Sequence, residues 1–271
     1  MIRDITIGQY YPGKSVLHRL DPRVKLITTF WLIIVIFLCK SFFSLGLIAL
    51  TAVITAAISR VPPKMILKSL KPIVIILIFT AVLNVFYVQG GETYFQWWKI
   101  AVTEKGVNTA VFTMVRIISL VIISSLLTYT TTPTMLTDAL ERVLSPLKVF
   151  KIKVHTLAMM MTLALRFIPT LIEEIDRIMN AQKARGADLE SGGIIQRAKA
   201  LVPIFVPLMV SSFRRAYELA FAMTCRCYTG GEGRTRMKQM KLCLRDFAAI
   251  FFCAAVTAGV IVLNFYFDAV I

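Results

Sequence analysis

Histidine and acid are both scarce. His18 and His155 are the only histidines, and there are fifteen Asp and Glu in 271 residues. No histidine cluster, carboxylate pair or nucleophile–base pair falls inside an apolar run, which argues against an intramembrane enzyme. The five cysteines, at 39, 225, 227, 243 and 253, are odd in number and set no disulfide framework. Cys225 and Cys227 form a C-x-C pair with no second ligand pair nearby, so a helix face is the expected reading, not a zinc site. The opening "MIRDITIGQYYPGKS" lacks the apolar core and cleavage site of a secretory signal.

What the chain has in excess is apolar surface. It is 57% hydrophobic with mean hydropathy +0.73, more than a soluble core of this length needs. Apolar runs of spanning length predict transmembrane helices at Leu26–Cys39, Ser41–Ser59, Pro72–Val88, Val107–Tyr129 and Phe247–Phe267. The formal charge of +16 is distributed unevenly. With the N-terminus inside, twenty-seven of the thirty-one Lys and Arg fall on the cytoplasmic side. Lys40, Lys99 and Lys105 lie outside, and Arg116 lies within a span. The positive-inside rule therefore orients the chain, and the basic balance marks topology and membrane surface, not nucleic acid.

Residues 133–246 are too apolar for a linker and too regularly charged to span. From Met161, apolar positions recur at Leu165, Ile168, Ile172, Ile175 and Met179, a helical spacing. Ile194–Tyr228 repeats the design, with Val202, Phe205, Met209, Phe213 and Tyr217 on one face. A shorter piece, "TPTMLTDALERVLSPL", precedes both, with Thr137 as its expected cap. An interfacial layer lying on lipid headgroups would have this pattern. Pro169, Pro203 and Pro207 fit it less well, because each removes an amide donor and bends its helix. Each long pattern closes on an arginine, Arg185 or Arg226. Gly186, and Gly230 with Gly231, are placed to let the chain leave sharply.

Three features have competing readings. Gly8–Ser15, "GQYYPGKS", matches the phosphate-loop pattern letter for letter. Only "ITI" precedes it, Pro12 removes an amide, and Pro22 follows within one or two turns, so a cytoplasmic segment ordered against its own protein is expected. Asp21 and Pro22 then read as the N-cap and first residue of the first span. Glu173, Glu174 and Asp176 read as a solvated or paired helix face. Arg116, inside a span, reads either as a functional or paired charge or as one that snorkels or anchors packing.

"GQYYPGKSVLHRLDPRVKL", "TTTPTMLTDALERVLSPLK", "ALRFIPTLIEEIDRIMNAQKARGAD" and "AMTCRCYTGGEGRTRM" together resemble the transmembrane coupling subunit, or T component, of energy-coupling factor (ECF) importers, the EcfT/CbiQ family. Ala184-Arg185-Gly186 has the family's Ala-Arg-Gly form. At the second motif Cys225 and Cys227 stand at the Ala and Gly positions and Arg226 is kept. The resemblance implies an all-α polytopic membrane fold with about five transmembrane helices and two to three long amphipathic coupling helices. It divides the chain into residues 1–132 (N-terminal segment and four spans), 133–242 (cytoplasmic coupling helices) and 243–271 (last span). It implies a non-catalytic scaffold in a prokaryotic plasma membrane that joins two cytosolic ATPases to a substrate-binding S component for vitamin or micronutrient uptake. The arginine motifs would dock into the ATPases. ATP and Mg would be held by those partners and no cofactor by this chain. "GGEGRTRM" fits a module shared among several S components.

Overall fold

In a computed structural model of the protein, described for residues 10–88, 90, 93–97, 100–150, 153–187, 193–230 and 242–267, helices begin where the sequence supplies caps. Asp21 accepts the Arg23 amide at 2.9 Å, and Pro22 takes the first position of α1 (Pro22–Leu38). Ser41, its amide donating to Ser44 Oγ at 3.3 Å, opens α2 (Phe42–Ser59). The third apolar run is jointed. α3 (Pro63–Leu70) meets α4 (Val74–Tyr87) through a 3-10 turn at Lys71–Ile73 that contains Pro72. Thr103 accepts the Gly106 amide and starts α5 (Glu104–Thr130). Then come α6 (Pro133–Val143), α7 (Val154–Ala184), α8 (Ile194–Cys225) and α9 (Leu244–Tyr266).

The helical, multi-pass fold expected from the sequence is present, with three adjustments. A short antiparallel hairpin, β1 (Thr93–Trp97) and β2 (Ile100–Thr103), links α4 to α5, pairing Gln96 with Ala101 and Trp97 with Ile100. Thr137 is not the cap of α6. It lies inside the helix and donates back to the Thr134 carbonyl at 2.8 Å, while Thr132 accepts the Met135 amide at 3.3 Å. The helix starts one turn earlier because Pro133 suits the first position, where no amide is needed. Among the described residues, five helical stretches are long and apolar enough to cross a membrane: Phe42–Ser59, Pro63–Tyr87, Glu104–Thr130, Val154–Ala184 and Leu244–Tyr266. The number agrees with expectation but the membership differs. α1, with 17 residues, is shorter than any of the five, and α7 qualifies through its apolar first half.

The described residues fall into two units, one made of α1–α6 with the hairpin and α9, the other of α7 and α8. In the first, α5 packs against α1, α2, α3 and α4, and α9 packs against α1 and α2. Val35 and Ile36, Leu45 and Ile48, Phe112, and Val260 from four helices form the buried core. Gly106 lets α5 approach the end of α4: a β-carbon there would stand 2.8 Å from the Val88 carbonyl oxygen. The other faces remain apolar. On α4, Ile75, Ile78 and Phe79 all point outward, as a helix facing lipid requires.

Candidate functional site

The two arginine tips have the same backbone. Arg185 is the C-cap of α7 at φ −87°, ψ 5°, and Arg226 the C-cap of α8 at φ −91°, ψ 17°. After Arg185, the Gly186 amide donates to the Lys183 carbonyl and the Ala187 amide to the Gln182 carbonyl, each at 3.0 Å. After Arg226, the Cys227 amide reaches the Thr224 carbonyl at 2.9 Å and the Tyr228 amide the Met223 carbonyl at 3.0 Å. Both are the six-to-one and five-to-two closure of a Schellman motif, which pairs carbonyls the helix would otherwise leave open. The residue after each arginine is left-handed: Gly186 at φ 84° and Cys227 at φ 54°. The second exit is therefore made at Cys227, not at Gly230, and Gly231 lies outside the described residues. Ala184, Arg185, Gly186, Cys225, Arg226 and Cys227 are all exposed, and neither guanidinium has a partner among the described residues.

α7 and α8 run antiparallel. Three contacts fix their register: the Gln182 side-chain amide donates to the Pro203 carbonyl at 3.3 Å, Glu174 pairs with Arg215, and the Tyr228 hydroxyl donates to Met159 Sδ at 2.9 Å. Glu174 thus resolves part of the acidic patch as an inter-helix ion pair. The Gln182 contact has a local cause. Pro207 has no amide to offer the carbonyl four residues back, which is Pro203, and Gln182 supplies the missing donor. Because the helices are antiparallel, the two arginines lie at opposite ends of the pair. The outermost contacts are 23 residues apart on α7, which at 1.5 Å per residue is about 35 Å.

Arg116 lies in the other unit and does not join the tips. Its Nη2 donates to the Cys39 carbonyl at 2.8 Å, and its guanidinium stands 4.7 Å from the Phe112 ring centroid. Cys39 is the C-cap of α1, and the neighbouring Leu38 carbonyl receives the Asn264 amide at 2.9 Å. The charge sits against the negative end of a helix. Arg116 is thus bonded to the backbone at the end of a neighbouring span, with no acidic partner among the described residues.

Residues 8 and 9 of the phosphate-loop match lie outside the described residues. The rest is folded onto the chain itself. The Tyr11 amide donates to the Tyr129 carbonyl at 2.9 Å, and Ser15 is buried with its Oγ 2.7 Å from His18 Nδ1. His18 Nε2 lies 3.0 Å from the Tyr11 carbonyl, which can only accept, so the proton sits on Nε2 and Ser15 donates to Nδ1. Burial lowers the His18 pKa from 6.5; the Tyr11 bond opposes this and the Lys25 charge adds to it. A three-residue 3-10 turn, Leu17–Arg19, follows instead of a phosphate-binding helix.

A family model described as "Cobalt transport protein" matches residues 13–237. The chain is 49% identical over 267 residues to the energy-coupling factor transporter transmembrane protein EcfT of Ruminiclostridium cellulolyticum, covering 98% of this chain and 100% of that one. It is 51% identical over 265 residues to the protein of the same name from Clostridium kluyveri, covering 97% and 98%. The protein of that name from Bacillus subtilis is 45% identical over 250 residues, covering 92% and 94%. The chain belongs to the EcfT family.

It is thus a multi-pass membrane component of an energy-coupling factor transporter. Most of the "GGEGRTRM" stretch, beginning at Gly231, lies outside the described residues. Sequence reasoning found both tips of this EcfT member but missed Gln182. The signal was present: two prolines four residues apart leave the first one's carbonyl open, and a nearby amide side chain is the natural donor.

Proposed function

We propose that this EcfT-family chain is the coupling scaffold of the importer, with Arg185 and Arg226 docking into two cytosolic ATPase subunits. The observation that carries the reading is the pair of exposed, unpartnered arginines, each the C-cap of a helix of more than thirty residues. Each guanidinium is held where the helix end is partly negative, and its fork suits a bidentate contact with a partner carboxylate. Tips about 35 Å apart suit two separate subunits better than one pocket. The Gln182, Glu174 and Tyr228 contacts tie α7 to α8, so a push on either tip moves the pair as a lever. That movement would be passed to a substrate-binding S component, for a vitamin or other micronutrient. ATP and Mg would stay with the ATPases.

The lever requires both tips on the cytoplasmic side, as the positive charge count favours. The candidate span in α7 is the observation on the other side. If the antiparallel pair crossed the bilayer, its two ends would face opposite compartments. The exposed thiols Cys225, Cys227 and Cys243 lie at or after the Arg226 end only, so a cysteine added one turn before Arg185, Ala181→Cys, is needed to report on the other end. A membrane-impermeant maleimide should leave intact cells unlabelled and label inverted vesicles.

The functional test is co-purification of the ATPases together with solute uptake. Losing one side of a buried charged contact costs about 2–5 kcal/mol at an interface. Arg185→Ala or Arg226→Ala should weaken one attachment, and the double variant should lose the ATPases or uncouple them. Lysine at either site should rescue poorly. A double variant that binds both ATPases and imports at the wild-type rate refutes the proposal.

A further inference from the structure

The α1–α2–α5–α9 bundle forms a half-open cavity of about 250 Å³ at the end where α1 and α9 begin and α2 and α5 finish. Its walls are almost wholly apolar, with Leu32, Ile123, Leu126 and Phe252 among them. Of the four threonines that line it, Thr29 alone has no hydrogen bond among the described residues, and the other three donate their hydroxyl protons elsewhere. Thr28 donates to the Val24 and Lys25 carbonyls, Thr55 to those of Thr51 and Ala52, and Thr130 to that of Leu126, all on their own helices. Lys25 is 6% exposed and occupied: its ammonium donates to the Thr130 carbonyl at 2.9 Å and lies 3.4 Å from the His18 carbonyl and from Thr131 Oγ1. An ordered water needs two to four polar partners, and a slot whose one free hydroxyl is Thr29 among apolar walls suits hydrocarbon better.

One group at the mouth is different. Arg245, at the start of α9, lines the cavity, is exposed, and has no partner among the described residues. Its neighbour in sequence, Asp246, is buried and committed, accepting the Asp21 amide and the Cys243 amide at 2.8 Å each. The site therefore pairs an apolar slot with an unopposed cation at its rim, in a chain surrounded by bilayer. We infer that this cavity is a phospholipid site: one acyl chain lies between α1, α2, α5 and α9, and the phosphate of an anionic headgroup sits on Arg245. The volume matches on the order of eight water-sized groups, a chain segment and not a whole lipid. Bound there, the lipid would fill the gap beneath the 3-10 turn that carries His18 and would brace the start of α9. The inference does not depend on the ATPase-coupling reading.

Native mass spectrometry of the full-length chain, purified from vesicles of phosphatidylcholine with and without phosphatidylglycerol, tests it. Wild type should retain phosphatidylglycerol in preference to phosphatidylcholine. Arg245→Gln should cut that preference about fivefold, a basic residue near a membrane surface being worth ~1 kcal/mol. Arg245→Lys should keep most of it. Ala249→Trp, which fills the slot, should abolish retention. Because that variant could fail to fold, an indole at the exposed rim position, Ala248→Trp, gives a second readout. Brominated phosphatidylglycerol at low mole fraction should quench it more strongly than brominated phosphatidylcholine. Equal retention of both lipids by wild type, undiminished retention by a folded Ala249→Trp chain, or equal quenching would overturn the proposal. So would displacement of the lipid by inorganic phosphate, which would make the site one for a free anion.

Discussion

Cys227 holds a conformation that Gly186 holds at the matching place on the other tip, φ 54° against φ 84°. For a residue with a β-carbon the left-handed region costs roughly 1–2 kcal/mol. Glycine avoids that cost but loses more backbone freedom on ordering, roughly 0.5–1 kcal/mol. Cys227→Gly should therefore stabilise the second tip by about 0.5–1 kcal/mol. Gly186→Cys should destabilise the first by a similar amount, because a β-carbon at Gly186 meets nothing within 4 Å and only the backbone responds. Hydrogen exchange reads both directly, since the amides of residues 186 and 187 and of residues 227 and 228 close the two motifs. A change of 1 kcal/mol is about fivefold in local opening. Exchange at 227–228 should slow by about twofold to fivefold in Cys227→Gly, and exchange at 186–187 should quicken by as much in Gly186→Cys. If both substitutions left exchange unchanged, or moved it in the same direction, backbone handedness would not be what separates the two tips.

Arg116→Leu leaves the Cys39 carbonyl without its charged donor and should cost about 2 kcal/mol, read as a lower Tm in detergent with insertion intact; an unchanged Tm would make the contact dispensable. Gln182→Leu strips the Pro203 carbonyl of its donor, worth about 1 kcal/mol, and should broaden spin-label distances between α7 and α8; unbroadened distributions would mean other contacts hold the register. His18 has a folded pKa below its unfolded 6.5, so the folded chain binds fewer protons, and its contribution is intact above pH 6.5 and lost as pH falls through the folded value. His18→Gln should flatten the decline in Tm measured from pH 7 downward. Lys14→Ala should leave ATP hydrolysis by the assembled transporter unchanged, and nucleotide photo-crosslinking to residues 10–15 of the isolated chain would contradict that.

The helices that face lipid were legible because a run of spanning length needs no partner to be recognised. Asp21–Pro22 was legible for a similar reason, since capping is decided by three adjacent residues. Thr137 misled because two threonines precede Pro133 by one and two residues, and the proline's preference for the first helical position sets the start, not the first apolar residue. α7 was read as an amphipathic helix from the charges after Arg166. Its apolar half from Val154 makes the same helix long enough to cross a membrane, and a pattern averaged over one window cannot hold both properties. The bonds from Arg116 to Cys39 and from Asn264 to Leu38 join residues 77 and 226 positions apart. No local pattern encodes such a distance.

At the tips the sequence differs where the backbone does not. Ala184-Arg185-Gly186 and Cys225-Arg226-Cys227 share one residue in three. Both nevertheless end in a C-cap arginine, a left-handed residue and the same two closing bonds. The common feature is thus an exit geometry that turns the chain away and leaves the guanidinium exposed. Glycine is the low-strain residue for that exit, and Cys227 shows that it is not the only possible one. What holds the second tip in place is then the surrounding structure: Tyr228, one residue beyond the turn, ties it to Met159 near the start of α7. The first tip has its own tie, through Gln182 to the break at Pro203. Each end of the helix pair is fastened to its neighbour within a turn of its arginine, so the side chain left free to meet a partner stands on a helix end that is itself tied down.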